Sequence, residues 1–267
     1  MPRASSLPLL TKCLGSDVLP RSPPDPKYEK NARLGAEWGT MVHTWKETGN
    51  VVARDKRNGA AFQKAIAESG IDRILLWPLE GQHETSVAIR IDGTREVRRS
   101  HEGIFGTPEW ITGTSDFHWR IFDGELWVDD LKTGKVYPDE VTGENRFPQD
   151  PRSAQLRCYS LAIAVLTGYT GTVHVSVTHW PRLPLEHRHK EPARYWTTFT
   201  SGSLLAFWGE LEQLYRDTEE ARRAIAGDSE SLVRLDPGDH CRFCPSKQYC
   251  LVAQPDPEPL KRHWTNH

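Results

Sequence analysis

Residues 110–132 read WITGTSDFHWRIFDGELWVDDLK. Two runs rich in aromatic and β-branched residues flank an Asp-Gly pair, a strong short-range signal for a β-hairpin. The pattern predicts strands over Trp110–Phe122 and Glu125–Lys132, turning at Asp123-Gly124. Asp116 and Asp130 each lie seven or so residues from that turn, so pairing would set them side by side. Side chains alternate across a strand, so Asp130 and Lys132 share one face. Asp129 points to the other face, where it is expected to be solvated.

Two carboxylates about 4 Å apart repel by roughly 4 kcal/mol at an effective dielectric near 20. Without a cation, one of them tends to keep its proton. A divalent metal removes the conflict, and oxygen ligation favours Mg²⁺ or Mn²⁺. Such an ion polarises a phosphate and acidifies water, while a lysine such as Lys132 orients the attacking water or neutralises developing charge. Taken alone, Asp-x-Lys is common and reads better as ordinary charge on a strand surface.

Upstream, Leu34, Trp38, Met41, Val42 and Trp45 recur at helical spacing, predicting a helix over Glu29–Glu47 with Gly49 as its stop. Gly39 inside it suggests close packing, and His43 is a candidate metal ligand. By themselves the two read as a packing glycine and a satisfied histidine. Asp55 is a candidate cap for a second helix reaching Gly70. Strands are expected at Arg73–Trp77, Ser86–Ile91, Thr172–Thr178 and Tyr195–Phe199. A helix opened by Asp150-Pro151 and closed by Gly168 carries Gln155 and Tyr159 on one face. Both are candidates for phosphate contact or site support, or else a half-buried polar pair. A long amphipathic helix spans Ser203–Ile225. Residues 1–28 are proline-rich and expected to be irregular, apart from a short helix near Cys13. The fold class is therefore α/β, a mixed sheet with flanking helices.

The chain has 267 residues, with 34 Lys plus Arg against 36 Asp plus Glu. That balance decides little about nucleic acid, because a local basic groove is masked by an acidic site. No stretch suits a membrane span or a secretory signal, so a cytoplasmic protein is expected. In a reducing compartment, Cys241-Arg-Phe-Cys244-Pro-Ser-Lys-Gln-Tyr-Cys250 points to bound metal rather than disulfides. Cys13 is the candidate fourth ligand, and Cys158 is expected in the core. Four thiolates suit an iron–sulfur cluster or zinc, and His240 offers a zinc-site alternative.

The elements fall in one order: Gly39-x₃-His43, Gly113-Thr-Ser-Asp116, Asp130-Leu-Lys132, Gln155-x₃-Tyr159, then the cysteine triplet. That order resembles the RecB-like branch of the PD-(D/E)xK nucleases. Look-alikes are phage and CRISPR-associated exonucleases with an iron–sulfur cluster, and the nuclease domain of AddB. Trp127-Val-Asp-Asp-Leu-Lys-Thr-Gly134 and Thr178-His-Trp-Pro-Arg182 also look like the phage-encoded relatives. The resemblance implies a restriction-endonuclease-like core over 29–200, a segment 1–28 carrying the first cluster cysteine, and a C-terminal helix and cluster segment over 201–267. It implies that His43, Asp116, Asp130 and the Leu131 carbonyl bind Mg²⁺ or Mn²⁺, that Lys132 is catalytic, and that Gln155 and Tyr159 support the site and engage DNA. It further implies a 4Fe–4S cluster on Cys13, Cys241, Cys244 and Cys250. Ser115 replaces the proline of the superfamily's name. Relatives often carry another acidic residue on an earlier strand, for which Glu80 and Glu84 are both candidates.

The function so implied is exonucleolytic hydrolysis at DNA ends, single-stranded ends included, in phage or bacterial recombination, replication or repair. A non-catalytic end-binding adaptor is the alternative from another class. A third reading is a nuclease subunit working beside a helicase or integrase; no Walker-type loop is present, so any motor would be a separate partner. No zinc-finger or helix-turn-helix pattern supports a sequence-specific endonuclease.

Overall fold

The computed structural model describes residues 3–19, 21, 26–54, 56–69, 80–100, 102–104, 107–121, 124–133, 137–138, 145–146, 150–179, 193–227, 235–236, 238, 241 and 244–250. The chain opens with a 3-10 turn over Ala4–Ser6, then α1 (Leu7–Leu10) and α2 (Gly15–Val18). Two longer helices follow, α3 (Pro26–Thr48) and α4 (Lys56–Ser69). Next come β1 (Gln82–Arg90), β2 (Val97–Arg98), β3 (Trp110–Arg120) and β4 (Leu126–Lys132). A small hairpin of β5 (Tyr137–Pro138) and β6 (Asn145–Arg146) precedes α5 (Ala154–Thr167). The chain then forms β7 (Val173–His179), β8 (Ala193–Phe199) and α6 (Ser201–Ala226).

Six strands form one mixed sheet in the order β2-β1-β3-β4-β7-β8. The β4–β7 pair is parallel and the other pairs are antiparallel. The parallel pair requires a crossover, which α5 supplies. The β3–β4 hairpin forms as its sequence predicts, with Gly124 at φ 94, a conformation that side chains disfavour. The α/β class is as expected.

Alternation sends the apolar residues of β4 to both sides of the sheet, while those of β7 share one side. On one side Leu126, Val128, Val173, Val175 and Val177 pack with α5 and α6. On the other, Leu131 and Phe117 meet Trp38, Met41 and Val42 of α3 and Phe62 of α4. Helix α5 is buried over most of its circumference, which suits its nearly unbroken apolar sequence.

Two features of the sheet prepare the site. First, β3 and β4 pair only from Phe117↔Asp129 to Arg120↔Leu126. Beyond Asp129, β4 stays with β7 while β3 stays with β1, so the two central strands part. Second, Ile111 and Phe117 share parity on β3 yet join cores on opposite sides of the sheet. The facing therefore reverses between them. The pairs Thr85↔Ser115 and His83↔Phe117 bracket Glu84, whose φ is 47. A left-handed glutamate costs on the order of 1–2 kcal/mol.

Several local expectations need correction. Short helices α1 and α2 flank Cys13, in line with the helix expected there, but the described N-terminal residues are packed rather than loose: Ala4, Leu7 and Leu10 are buried in the main core, and Arg3 bridges Thr112. Helical turns this short do not persist alone, so burial of their apolar face holds them. Ser153, not Asp150, caps α5, accepting from the Leu156 amide at 3.4 Å. Asp150 instead accepts from the Arg152 amide at 2.8 Å in the preceding turn. The proposed strand Arg73–Trp77 and the Asp55 cap lie outside the described residues. The two-residue strands β2, β5 and β6 are too short for alternation to reveal. Among the described residues, no helix is long and apolar enough to cross a membrane.

Because Leu7 is wholly buried in the core that includes α5, Leu7→Ala should lower unfolding free energy by about 2–5 kcal/mol in chemical denaturation. A cost near zero would show that this segment does not share the core.

Candidate active site

Where β3 and β4 part, the backbone amide of Leu131 has lost its β3 partner. Asp116 takes its place: Oδ2 accepts from Leu131 N at 2.7 Å. Asp116 is thereby held in the mouth of the fork, beside the buried Asp130. Two residues along β4, the Lys132 ammonium stands 2.6 Å from Asp130 Oδ2.

Helix α3 brings His43 to the same opening. Its Nε2 lies 3.8 Å from Asp116 Oδ2, and its Nδ1 lies 3.2 Å from Glu84 Oε1. Glu84 reaches this point from the kinked position of β1, while Glu80 lies outside that strand. Single ligand atoms of His43, Glu84 and Asp116 all fall within 4.8 Å of one another. Gly39, one turn before His43, allows α3 to approach the end of β4; a Cβ there would sit 3.1 Å from Thr133 Oγ1.

The electrostatics of the fork are those of an unneutralised anionic site. Burial raises the Asp116 carboxyl to about 7, and the neighbouring Asp130 adds to the rise against opposition from His43 and Lys132. Burial also raises Asp130, against the attraction of Lys132. Burial opposes charge on His43, but Glu84, Asp116 and Asp130 together outweigh it and raise the imidazole. One imidazole and two carboxylates within 4.8 Å of one another, His43, Glu84 and Asp116, could hold a divalent cation.

Gln155 and Tyr159 meet as their spacing predicts, with Nε2 donating to the phenol oxygen at 3.0 Å. Tyr159 packs against Gly113, where a Cβ would approach its ring to 2.7 Å and the Ala4 Cβ to 2.8 Å. Only glycine permits that contact. Burial raises the Tyr159 phenol, with a smaller contribution from the negative charge at Asp130 and Asp116.

Asp129 does face away from Asp130, but it is not solvated. It is fully buried and accepts from Ser176 Oγ at 2.6 Å and Thr178 Oγ1 at 3.0 Å. The Lys46 ammonium lies 3.2 Å from its Oδ2. Burial lowers Lys46 to about 8 despite this partner. Sequence reading missed Lys46, although its position three residues after His43 and beside Trp45 was a usable signal.

Among the cysteines, Cys13 and Cys250 are buried and Cys241 and Cys244 partly so. Burial raises the Cys244 thiol, and Cys13, Cys250 and Cys241 each act on it electrostatically in the same direction. Ser246 Oγ donates to Leu19 O at 3.1 Å, tying the cysteine-bearing loop to the N-terminal segment. Cys158 is elsewhere, in the main core, its thiol pushed up to about 12 by burial. His240 lies outside the described residues.

Residues 18–251, most of the chain and the whole of the fork, match the PD-(D/E)XK nuclease superfamily. The chain belongs to that superfamily. Two solved structures resemble this nuclease. A protein designated SSO0001 is 13% identical with a TM-score of 0.38, covering 92% of this chain and 84% of its own. An inferred exonuclease from Eubacterium rectale is 13% identical with a TM-score of 0.45, covering 95% and 90%. No curated protein matches the chain.

The raised Asp116 carboxyl gives the metal-free nuclease a pH signature. Its folded pKa of about 7 exceeds the ordinary 3.8, so the folded state binds the extra proton between those values. Stability contributed by this group is therefore present at the acidic end and lost as pH rises through that window. Thermal melts in chelator should show melting temperature falling from about pH 4 to about pH 7. Asp116→Asn should flatten the slope; an unchanged slope would contradict the assignment.

Proposed function

We propose that this nuclease is a metal-dependent DNA exonuclease, hydrolysing phosphodiester bonds at DNA ends. The observation that carries the reading is the fork itself, which gathers His43, Asp116, Asp130 and Lys132 from three elements around one opening. In this reading His43, Asp116, Asp130 and the Leu131 carbonyl hold Mg²⁺ or Mn²⁺, and Glu84 is a further oxygen donor in preference to Glu80. A bound divalent cation supplies Lewis acidity toward the phosphate and lowers the pKa of water.

The remaining work falls to the chain. Lys132, partly exposed beside Asp130, orients the attacking water or neutralises charge developing on the phosphate. Asp116 is held by the Leu131 amide, so its second oxygen is preoriented without an ordering cost. Gln155 and Tyr159, buried next to the carboxylates, fix that wall of the site and contact DNA. A non-catalytic end-binding adaptor is the weaker reading. A binding module gains nothing from mutually repelling carboxylates kept dry, and their desolvation is costly.

The division into an N-terminal segment 1–28, a core 29–200 and a C-terminal part 201–267 belongs to the same proposal. Cys13, Cys241, Cys244 and Cys250 then hold a 4Fe–4S cluster linking the two outer segments, with zinc as the alternative occupant. The electrostatic action of Cys13, Cys241 and Cys250 on the Cys244 thiol, and the Ser246–Leu19 bond, support that assignment. The cellular setting is the cytoplasm, in phage or bacterial recombination, replication or repair. A nuclease subunit of a helicase or integrase complex is the alternative assembly, which co-purification would reveal.

On DNA labelled separately at each end, the anaerobically purified protein should release nucleotides only with Mg²⁺ or Mn²⁺. Asp130→Asn and Lys132→Met should lower the rate at least about 100-fold while DNA binding largely survives. Full activity in either variant refutes the roles given to those residues, and cleavage confined to internal bonds refutes the exonuclease. For the cysteines, a brown protein absorbing broadly near roughly 400 nm is expected from cysteine-ligated iron. Stoichiometric zinc in a colourless, air-stable protein would replace that assignment.

A further inference from the structure

Two residues outside the proposed ligand set tie its parts together. Lys46 follows His43 by three positions on α3, so the two side chains leave neighbouring parts of one helix face. Asp129 precedes Asp130 on β4 and is the last β4 residue paired with β3 before the strands part. The Lys46 and Asp129 side chains are both wholly inaccessible and meet at 3.2 Å. Asp129 is itself held by the Ser176 and Thr178 hydroxyls of β7, and Arg194 Nε of β8 donates to Thr178 Oγ1 at 3.3 Å. A single chain of polar contacts thus runs from α3 through β4 and β7 to β8.

Packing alone does not call for this arrangement. The pair lies beside the apolar cluster of Trp38, Met41, Val42, Phe117 and Leu131, where apolar residues of similar volume would hold the layers together as well or better. Apolar contacts, however, tolerate sliding and rotation, whereas directed bonds to both carboxylate oxygens do not. The carboxylate of Asp129 fixes the roll of β4 at the residue before Asp130. Its ion pair with Lys46 fixes the height of α3 one turn from His43.

We propose that Lys46 and Asp129 are positioning residues that set His43 against Asp116 and Asp130, and so set the affinity of the fork for its divalent cation. The inference rests on the metal-dependent nuclease reading above. It separates positioning from general stability, because the two respond differently to removing one charge or both. Removing Lys46 alone takes the 3.2 Å ammonium away from a buried carboxylate, which harms stability as well as alignment. Neutralising Asp129 as well relieves the charge penalty but leaves the clamp absent.

The test compares full-length wild type with Lys46→Met and Lys46→Met/Asp129→Asn. Mn²⁺ binding is followed by electron paramagnetic resonance, well below the lowest melting temperature, and stability by circular dichroism. Lys46→Met should weaken Mn²⁺ binding roughly tenfold, the usual scale for losing a residue that orients a ligand, and lower the melting temperature. The double variant should regain much of the melting temperature while its Mn²⁺ binding stays weak. Wild-type affinity in Lys46→Met overturns the proposal, as does affinity that returns together with stability in the double variant. Wild-type protein that binds no Mn²⁺ overturns the nuclease reading instead.

Discussion

The burial of two carboxylates at a fork between paired strands is the constraint on which the rest of the structure turns. An antiparallel pair that continued past Phe117↔Asp129 would satisfy the Leu131 amide with backbone and leave no opening. Because β3 and β4 part there, a side-chain oxygen of Asp116 satisfies that amide, and the gap is lined with acid. Desolvation then lifts Asp116 and Asp130 toward their neutral forms. The protein holds charge that water no longer solvates, and counter-charge comes from Lys132 and His43 at the same mouth.

Such a site is useful only if its walls do not move. Each wall comes from a different part of the chain. Helix α5 supplies Tyr159 against Gly113, and the N-terminal turn at Ala4 closes on the same glycine. Helix α3 supplies His43 and, one turn on, the buried ammonium of Lys46. Strand β1 supplies Glu84 by adopting a left-handed backbone at the position between Thr85↔Ser115 and His83↔Phe117. Backbone strain at a cluster of ionisable groups, with the surrounding strands regular, is the pattern expected where geometry serves chemistry. The superfamily to which the chain belongs accounts for the nuclease chemistry. A further tie runs from α3 to β8 through Lys46, Asp129, Thr178 and Arg194.

The ends of the chain follow the same logic on a larger scale. Leu7 and Leu10 enter the core shared with α5, and Arg222 of α6 lies 2.6 Å from Asp17 of α2. Ser246 reaches back to Leu19. Each contact joins residues more than 100 positions apart in sequence or fills a core built mostly from later strands. The N-terminal segment is thus tied both to the main core and to the C-terminal part of the chain.

Local information was legible in advance. The reversal at Gly124, the alternation of β4 and the run of α5 ending at Gly168 are set by neighbours a few positions apart, and each stands in the fold. The same alternation correctly separated Asp129 from Asp130. It could not say what lay above Asp129, because Lys46 is 83 residues away and Ser176 47 residues away. Glu84 meets His43 from a strand kink that no pattern of residue types announces. By itself the sequence determined which residues share a face and which turns join the strands, since those depend on backbone period and local sterics. Only the tertiary structure decided which faces are dry, where β3 leaves β4, and which distant charge meets which, because burial and partner choice are set by the whole packed chain.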